Sequence, residues 1–265
     1  MSELENGVNT AIHQEPASLE PATSSPVSQL PPRERESRSG ALKSSLTLEL
    51  HTHYAIRLWD GRRKEQTATA DVNSQRRPRH IFSMPQVISR AGQAYQASVA
   101  DNPYADALLV RLEEAIEVST DKVQQVVQEI SEILKSIPVS ITLTDVMSVS
   151  PLNIGVYSSS PLGYRCVWLL VGYDQLAMKV FQAFHYGLIS RATRDQYLDK
   201  GGYAIRQIYS IVQNYRYVVV TRNDIFARTP AGLKAIELYG EPDADIMSGK
   251  LRSSFSARLS PTGRE

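Results

Sequence analysis

The feature that most constrains the fold is a strict two-residue alternation that begins at Leu46. From there to Leu58 the even positions are mostly apolar and the odd positions mostly polar. The even positions hold Leu46, Leu48, Leu50, Thr52, Tyr54, Ile56 and Leu58. A period of two is typical of a half-buried β-strand with one wet face, and Asp60-Gly61 then indicates a turn. The sequence therefore predicts a strand over residues 46–58. Its solvent-facing side includes Thr47, Glu49, His51 and Arg57.

The composition changes abruptly where this alternation begins. Residues 1–40 are rich in Pro, Ser and Glu and almost lack aromatic side chains, so they cannot bury enough apolar area to offset chain entropy. We therefore expect a disordered tail over residues 1–40 and one domain over residues 41–240. Residues 241–265 are expected to be poorly ordered.

Helical patterns dominate the middle of the chain. The segment Ser83-Met84-Pro85-Gln86 has the residues of a capping box with a proline in the first turn, so it predicts a helix start. Further helices are predicted from Asn102-Pro103 onward, over residues 123–137, 173–188 and 194–213, and as two short helices up to about Tyr239. Gly201-Gly202 should weaken or kink the helix that contains them.

Short strands are predicted between these helices. Residues 139–144 alternate cleanly, and residues 153–158 and 164–171 flank Ser160-Pro161-Leu162-Gly163, which favours a hairpin. A further short run covers residues 217–221. Helices and short antiparallel strands together predict an α+β fold.

The overall charge does not point to a partner, since 29 basic residues stand against 28 acidic ones. The single cysteine, Cys166, cannot form an intrachain disulfide or a cysteine zinc site, which favours a reducing compartment. The first residues lack the basic start and apolar stretch of a signal peptide, and no window is apolar enough for a membrane span. We therefore expect a cytoplasmic protein.

Catalytic motifs are missing from the sequence. Glu49, His51 and His53 share one face of the predicted strand and are candidates for a metal or acid–base site, but no further ligands accompany them. The Ser158-Ser159-Ser160-Pro161 run lacks the context of a nucleophile elbow, and Gly201-Gly202 is not followed by the basic residue of a phosphate loop. The sequence predicts no catalytic residue, no metal and no cofactor.

Local basic clusters suggest nucleic acid as a partner. Residues 57–90 include Arg57, Arg76, Arg77 and Arg79, and residues 188–228 include Arg206, Arg216, Arg222 and Asn223. Arginine suits phosphate contacts, and Asn suits base edges. The alternative is that these arginines pair with the acidic helices of residues 101–137, within one chain or across a dimer. The sequence does not decide between the two.

A strand followed by two helices is also the order of a ribbon–helix–helix DNA-binding protein, in which strands of two subunits pair and enter the major groove. In that arrangement Thr47, Glu49, His51 and Arg57 would face the groove. A long spacer between Trp59 and the first helix departs from the pattern. Residues 217–221 with the two short helices are a second candidate.

Four segments together resemble a known family. They are the stretch from Ser44 to His53 with Arg57-Leu58-Trp59, then Asp174-Gln175-Leu176, Tyr203-Ala204-Ile205-Arg206, and Val220-Thr221-Arg222-Asn223-Asp224. In these, the chain resembles integrating conjugative element proteins related to the AcaB-like transcriptional regulators, from about Gly40 to Gly240. The resemblance implies a cytoplasmic protein of a conjugative element, with dimeric, ribbon–helix–helix-like DNA-binding regulators among its relatives.

We therefore expect a homodimeric regulator that binds double-stranded DNA and controls genes of an integrating conjugative element. The alternative is a non-enzymatic structural or interaction protein of the conjugation or DNA-processing apparatus. It would use the acidic helices of residues 101–137 and the Tyr-rich second half of the chain as a surface that binds other element-encoded proteins.

Overall fold

The computed structural model describes residues 46–62 and 81–259. Within them the strands are β1 (Leu46–Leu50) and β2 (Leu152–Val156). The helices are α1 (His53–Asp60), α2 (Met84–Val99), α3 (Pro103–Lys135), α4 (Pro161–His185), α5 (Arg191–Asn214), α6 (Arg222–Phe226), α7 (Pro230–Tyr239) and α8 (Ala244–Met247). The α+β prediction is confirmed, with helices far outweighing strands.

Helix α4 lies at the centre of the core because it is apolar on almost every side. It packs against α1, α2, α3 and α5, and Cys166, Leu170 and Leu176 on it are fully buried. A helix that is hydrophobic all round is stable only when neighbours cover it. No helix in the described part of the chain is both long enough and apolar enough to cross a membrane.

The predicted strand over residues 46–58 is wrong beyond Leu50, because the chain turns there into helix α1. Asp174 of α4 accepts hydrogen bonds from the backbone N–H groups of His51 and Thr52, both at 2.8 Å, and from the Thr52 hydroxyl at 2.6 Å. The Thr52 oxygen in turn caps α1 by accepting from Ala55 N at 3.2 Å. A buried carboxylate distant in sequence therefore ends the strand.

The two strands pair with each other inside one chain. They are antiparallel, with Leu46 opposite Val156 and Leu50 opposite Leu152. The predicted strand near residues 153–158 is thus confirmed as β2. The predicted hairpin partner over residues 164–171 is wrong, since that segment lies inside α4. Ser160 caps this helix by accepting from Gly163 N at 3.2 Å, with Pro161 in the first turn.

Helix α3 replaces two predicted helices. Asn102 caps it as expected, accepting from the N–H groups of Tyr104 and Ala105, but the helix then continues unbroken to Lys135. No Gly or Pro interrupts it, and the Ser119 hydroxyl donates to Ala204 O of α5 at 3.3 Å. The predicted strand over residues 139–144 does not form: this segment is irregular, and Val139 is fully exposed.

Helix α2 starts with the predicted capping box of Ser83 and Gln86. Helix α5 differs from the expectation of a weak or kinked helix, because it runs unbroken through Gly201-Gly202. A Cβ on Gly201 would lie 2.6 Å from Tyr173 Cδ2, so glycine permits the close approach of α4 and α5.

Residues 241–259 differ from the expected poorly ordered segment. They form α8 and then pack on α3, where the Arg252 guanidinium donates to the Asp106 carboxylate at 3.1 and 3.2 Å. Ser254 N donates to Glu113 at 2.9 Å. Hydrogen bonds to α3, absent from any local sequence pattern, hold this segment. The expected tail over residues 1–40 lies outside the described residues, as do residues 41–45, 63–80 and 260–265.

Candidate nucleic-acid interface

The β1–β2 ribbon has one face in the core and one face in solvent. Leu48 and Leu50 are buried, whereas the alternate residues Thr47 and Glu49 are exposed. Opposite them on β2 are Gly155 and Asn153, which are exposed too. The outer face is therefore a narrow polar ribbon, of the kind that the major groove of DNA can admit.

Asn153 is absent from the sequence-based set of DNA-contacting residues. The segment around it was predicted to be a strand, but with the wrong partner. Because β1 and β2 are separated by most of the chain, their register depends on core packing. No local pattern places Asn153 opposite Glu49.

His51 does not belong to the outer face. Its side chain is largely buried, its Nδ1 accepts a hydrogen bond from Ser148 N at 3.2 Å, and its Nε2 lies 4.0 Å from Glu49 Oε2. Within residues 46–62 and 81–259, no cluster of His, Cys, Asp or Glu could hold a metal ion. The structure thus gives His51 a role in the turn between β1 and α1.

Arg57 and Arg206 are exposed on two helices that touch. The Tyr209 hydroxyl of α5 donates to Leu58 O of α1 at 2.9 Å, which joins these helices next to both arginines. No ion pair involves Arg57 or Arg206 within the described residues. Both guanidinium groups are free to bind an anion.

Arg206 also lies beside the hydroxyl of Tyr173. A Cβ on Gly202 would be 3.0 Å from Arg206 Nη1 and 3.2 Å from Tyr173 Oη, so both groups border the same small space. Burial raises the pKa of Tyr173, and the positive charge of Arg206 opposes part of that rise. The carboxylates of Asp199 and Asp174 add to the rise, so acidic groups also act on this hydroxyl.

Arg222 occupies a different environment from the other predicted arginines. Its guanidinium is buried, and it donates to Asp101 Oδ1 and to Asp106 Oδ2, both at 2.6 Å, as well as to Ile246 O. Asp106 is fully buried. Arg222 can reach a phosphate only if this network breaks, so the prediction of an Arg222–DNA contact is corrected: the side chain has a structural role.

Arg216 and Asn223 are exposed, but neither belongs to a strand of the ribbon or to helix α1. Arg216 borders a cleft that also contains Glu114, Glu241 and Asp243, which weakens its local positive potential. Asn223 is in the first turn of α6, a five-residue helix. The second ribbon candidate is not supported, because residues 217–221 form no strand within the part of the chain that the structure describes.

The three arginines Arg76, Arg77 and Arg79 lie outside the described residues. The chain leaves the described part after Arg62 and returns at Ile81, and these two residues form an antiparallel bridge. The contribution of the three arginines to DNA binding stays a prediction.

Comparisons with known proteins show which family and which fold this chain resembles. A family model described as "Transcriptional regulator AcaB" matches residues 38–260. The crystal structure of selenomethionine-containing AcaB from uropathogenic E. coli aligns with a TM-score of 0.50 and 10% sequence identity, covering 78% of this chain and 96% of that chain. At that identity the likeness concerns the fold alone. A comparison with curated proteins finds no match.

Proposed function

This chain belongs to the AcaB family of transcriptional regulators, and we propose that it acts by binding double-stranded DNA as a homodimer. Its target genes would be those of an integrating conjugative element, as the resemblance of its sequence segments implies. The observation that supports DNA binding most directly is the outer face of the β1–β2 ribbon, with exposed arginines on the adjoining helix α1 and on α5.

The chemistry of the ribbon suits contacts to base edges. Asn can bind adenine with two hydrogen bonds, Thr can bind a base edge or the thymine methyl group, and Glu can accept from cytosine N4. Asn153, Thr47 and Glu49 are exposed on the same face. Gly155 lies opposite Thr47 and adds no side chain, which leaves room for close approach to a groove.

Arg57 and Arg206 are the proposed phosphate ligands. Phosphate contacts fix the register and the orientation of a protein on the duplex, and they supply much of the affinity. Both side chains are exposed and lack ion pairs within the described residues, in contrast to Arg222. Arg76, Arg77 and Arg79 are proposed to add to the same electrostatic attraction.

The ribbon of one chain differs from the dimer ribbon of a ribbon–helix–helix protein. Here β1 finds its partner β2 within the same chain, so pairing of the strands does not require a second subunit. We propose that each subunit of the dimer presents its own ribbon to one half of a two-fold symmetric operator, since dimers bind half-sites about one helical turn apart.

The test is a mobility-shift assay on fragments from upstream of the element's genes, with shuffled fragments of equal length at the same salt concentration. Asn153→Ala and Thr47→Ala should each lower specific affinity by about 1–3 kcal/mol while non-specific affinity stays the same. Gln213→Ala, at an exposed position on α5, is the control and should change neither. Equal binding of every fragment by the wild type would contradict sequence-specific regulation.

An interaction protein of the conjugation apparatus is the second candidate function. It is favoured by the exposed side chain of Trp168 on α4, which borders a groove against α3 that also contains Glu132, Lys135 and Arg165. Exposed tryptophans are frequent hot spots of protein interfaces. Pull-down of element-encoded proteins in the absence of DNA, lost in Trp168→Ala, would support it over DNA binding.

A further inference from the structure

A large cavity lies between α2, the last turn of α1 and the turn that joins β2 to α4. Its volume is about 910 Å³, which is within the range of small-molecule pockets. Trp59, Tyr157 and Tyr217 come from three separate segments and contribute aromatic surface to its wall. Tyr157 and Tyr217 are largely exposed to solvent, so their rings are open to a ligand.

The wall of this cavity is uncharged throughout its described lining. The polar groups that it offers are neutral, chiefly the amides of Gln93 and Gln96 and the hydroxyl of Ser89, all on α2. Transfer of an ionised ligand into such surroundings would be costly, because no opposite charge compensates for lost hydration. The cavity therefore favours a neutral ligand with a few hydrogen-bonding groups.

Two glycines shape the cavity for a flat molecule. Gly92 lies where α2 contacts the turn between β2 and α4. A Cβ on this glycine would lie only 2.2 Å from Ser159 Oγ. Gly155 contributes bare backbone of β2 to the wall, and a Cβ there would meet nothing within 4 Å. Aromatic side chains and bare backbone in one wall suit a planar ring, which can stack on the tyrosines and the tryptophan.

We propose that this cavity binds an uncharged, aromatic small molecule. The site borders the outer ribbon face at Gly155, but its aromatic wall consists of Trp59, Tyr157 and Tyr217, which are not among the proposed DNA contacts. It does not depend on the DNA-binding proposal, and its test contains no DNA.

The chain offers a built-in reporter. Of its two tryptophans, Trp59 lines the cavity and Trp168 lies at the α3–α4 groove. In Trp168→Phe, energy transfer from tryptophan to a bound dye therefore comes from Trp59 alone. The probes are N-phenyl-1-naphthylamine, which is neutral, and 1-anilinonaphthalene-8-sulfonate, which has the same ring system with a negative charge. The neutral dye should bind at least about tenfold more tightly.

A substitution that fills part of the cavity tests whether the dye binds there. Ser89→Phe adds a ring to the cavity wall from an exposed position on α2. It should lower the affinity for the neutral dye by about tenfold or more. Gln213→Phe adds the same ring to the exposed surface of α5, outside the cavity, and should leave dye binding unchanged. Equal affinity for the two dyes, no energy transfer from Trp59, or equal binding by Ser89→Phe and Gln213→Phe would each overturn the proposal.

Discussion

Arg222 and Asp106 form a buried ion pair, in which the guanidinium Nη2 donates to the carboxylate Oδ2 at 2.6 Å. Arg252 donates to the same carboxylate from the C-terminal segment, and Ser98 donates to its other oxygen at 2.5 Å. A single buried Asp thus joins α3 to the start of α6 and to residues 244–259. Such a carboxylate is stable only while these donors surround it.

Arg222→Ala should lower the free energy of unfolding by about 3–5 kcal/mol, because it leaves the buried charge of Asp106 without one of its partners. Arg216→Ala is the matched control, since Arg216 is exposed and has no ion pair in the described part of the chain; it should change stability by less than about 0.5 kcal/mol. Urea unfolding measures both. A stable Arg222→Ala protein with reduced DNA affinity would instead assign Arg222 to the interface.

Asp174→Ala should destabilise the junction of β1 and α1. The substitution leaves the buried Thr52 N–H, the partly buried His51 N–H and the Thr52 hydroxyl without their acceptor, which should cost about 3 kcal/mol or more. Asp121→Ala, on the exposed face of α3, provides the comparison and should be close to neutral. If thermal and urea unfolding of the two variants agree, Asp174 does not fix the strand end.

Two glycines in neighbouring helices should respond oppositely to alanine. In Gly201→Ala the new Cβ would lie 2.6 and 2.8 Å from side-chain carbons of Tyr173 and Leu176, so overpacking should cost about 1–3 kcal/mol. In Gly172→Ala the nearest atom, Val123 Cγ1, is 3.8 Å away, so the helix propensity of alanine should stabilise the fold by up to about 1 kcal/mol. Calorimetry should show melting temperatures that move in opposite directions, and a rise for both would disprove the tight α4–α5 contact.

Glu113 should make the packing of the C-terminal segment dependent on pH. Burial raises its pKa, but hydrogen bonds from Ser253 and Ser254 and the charge of Arg165 outweigh this and hold the pKa below the ordinary value of 4.5. A lowered folded-state pKa stabilises the protein fully above 4.5, and this stabilisation is lost as pH falls through the folded-state value.

The matching experiment compares Glu113→Gln with wild type by urea unfolding from neutral to acid pH. The variant should be less stable at neutral pH, and the difference should vanish in acid. Glu237→Gln, at an exposed residue without ion pairs in the described chain, should show no such trend. A stability difference that stays constant with pH would refute the role of the Glu113 charge.

Short sequence patterns correctly predict the start of a helix where that start is determined by residues adjacent in the chain. The capping box at Ser83 and Gln86 and the Asn102-Pro103 start are local hydrogen-bonding patterns, and both are found where expected. The two-residue alternation failed after Leu50 because Thr52, Tyr54 and Leu58 fit a strand and an amphipathic helix equally well. The decision comes from Asp174, more than a hundred residues away.

The candidate interface was predictable only in part for the same reason. Thr47 and Glu49 could be identified as exposed from the alternation alone, whereas Arg57 is exposed on helix α1, which the alternation does not predict. Asn153 could not, because its place beside Glu49 depends on long-range pairing of β1 with β2. Arg222 was misassigned because sequence shows a charge but not its burial, and the carboxylates that hold it belong to the α2–α3 junction.

The salt dependence of DNA affinity tests the central claim most directly. Binding constants for an upstream fragment should be measured from about 50 to about 300 mM salt for wild type and for the Arg57→Ala/Arg206→Ala double variant. Each lost phosphate contact should reduce the steepness of the slope of log affinity against log salt by about 0.9. The slope of the double variant should therefore be less steep than that of the wild type by about 1.8. A flat response of the wild type, or an unchanged slope in the double variant, would contradict DNA binding through these two arginines.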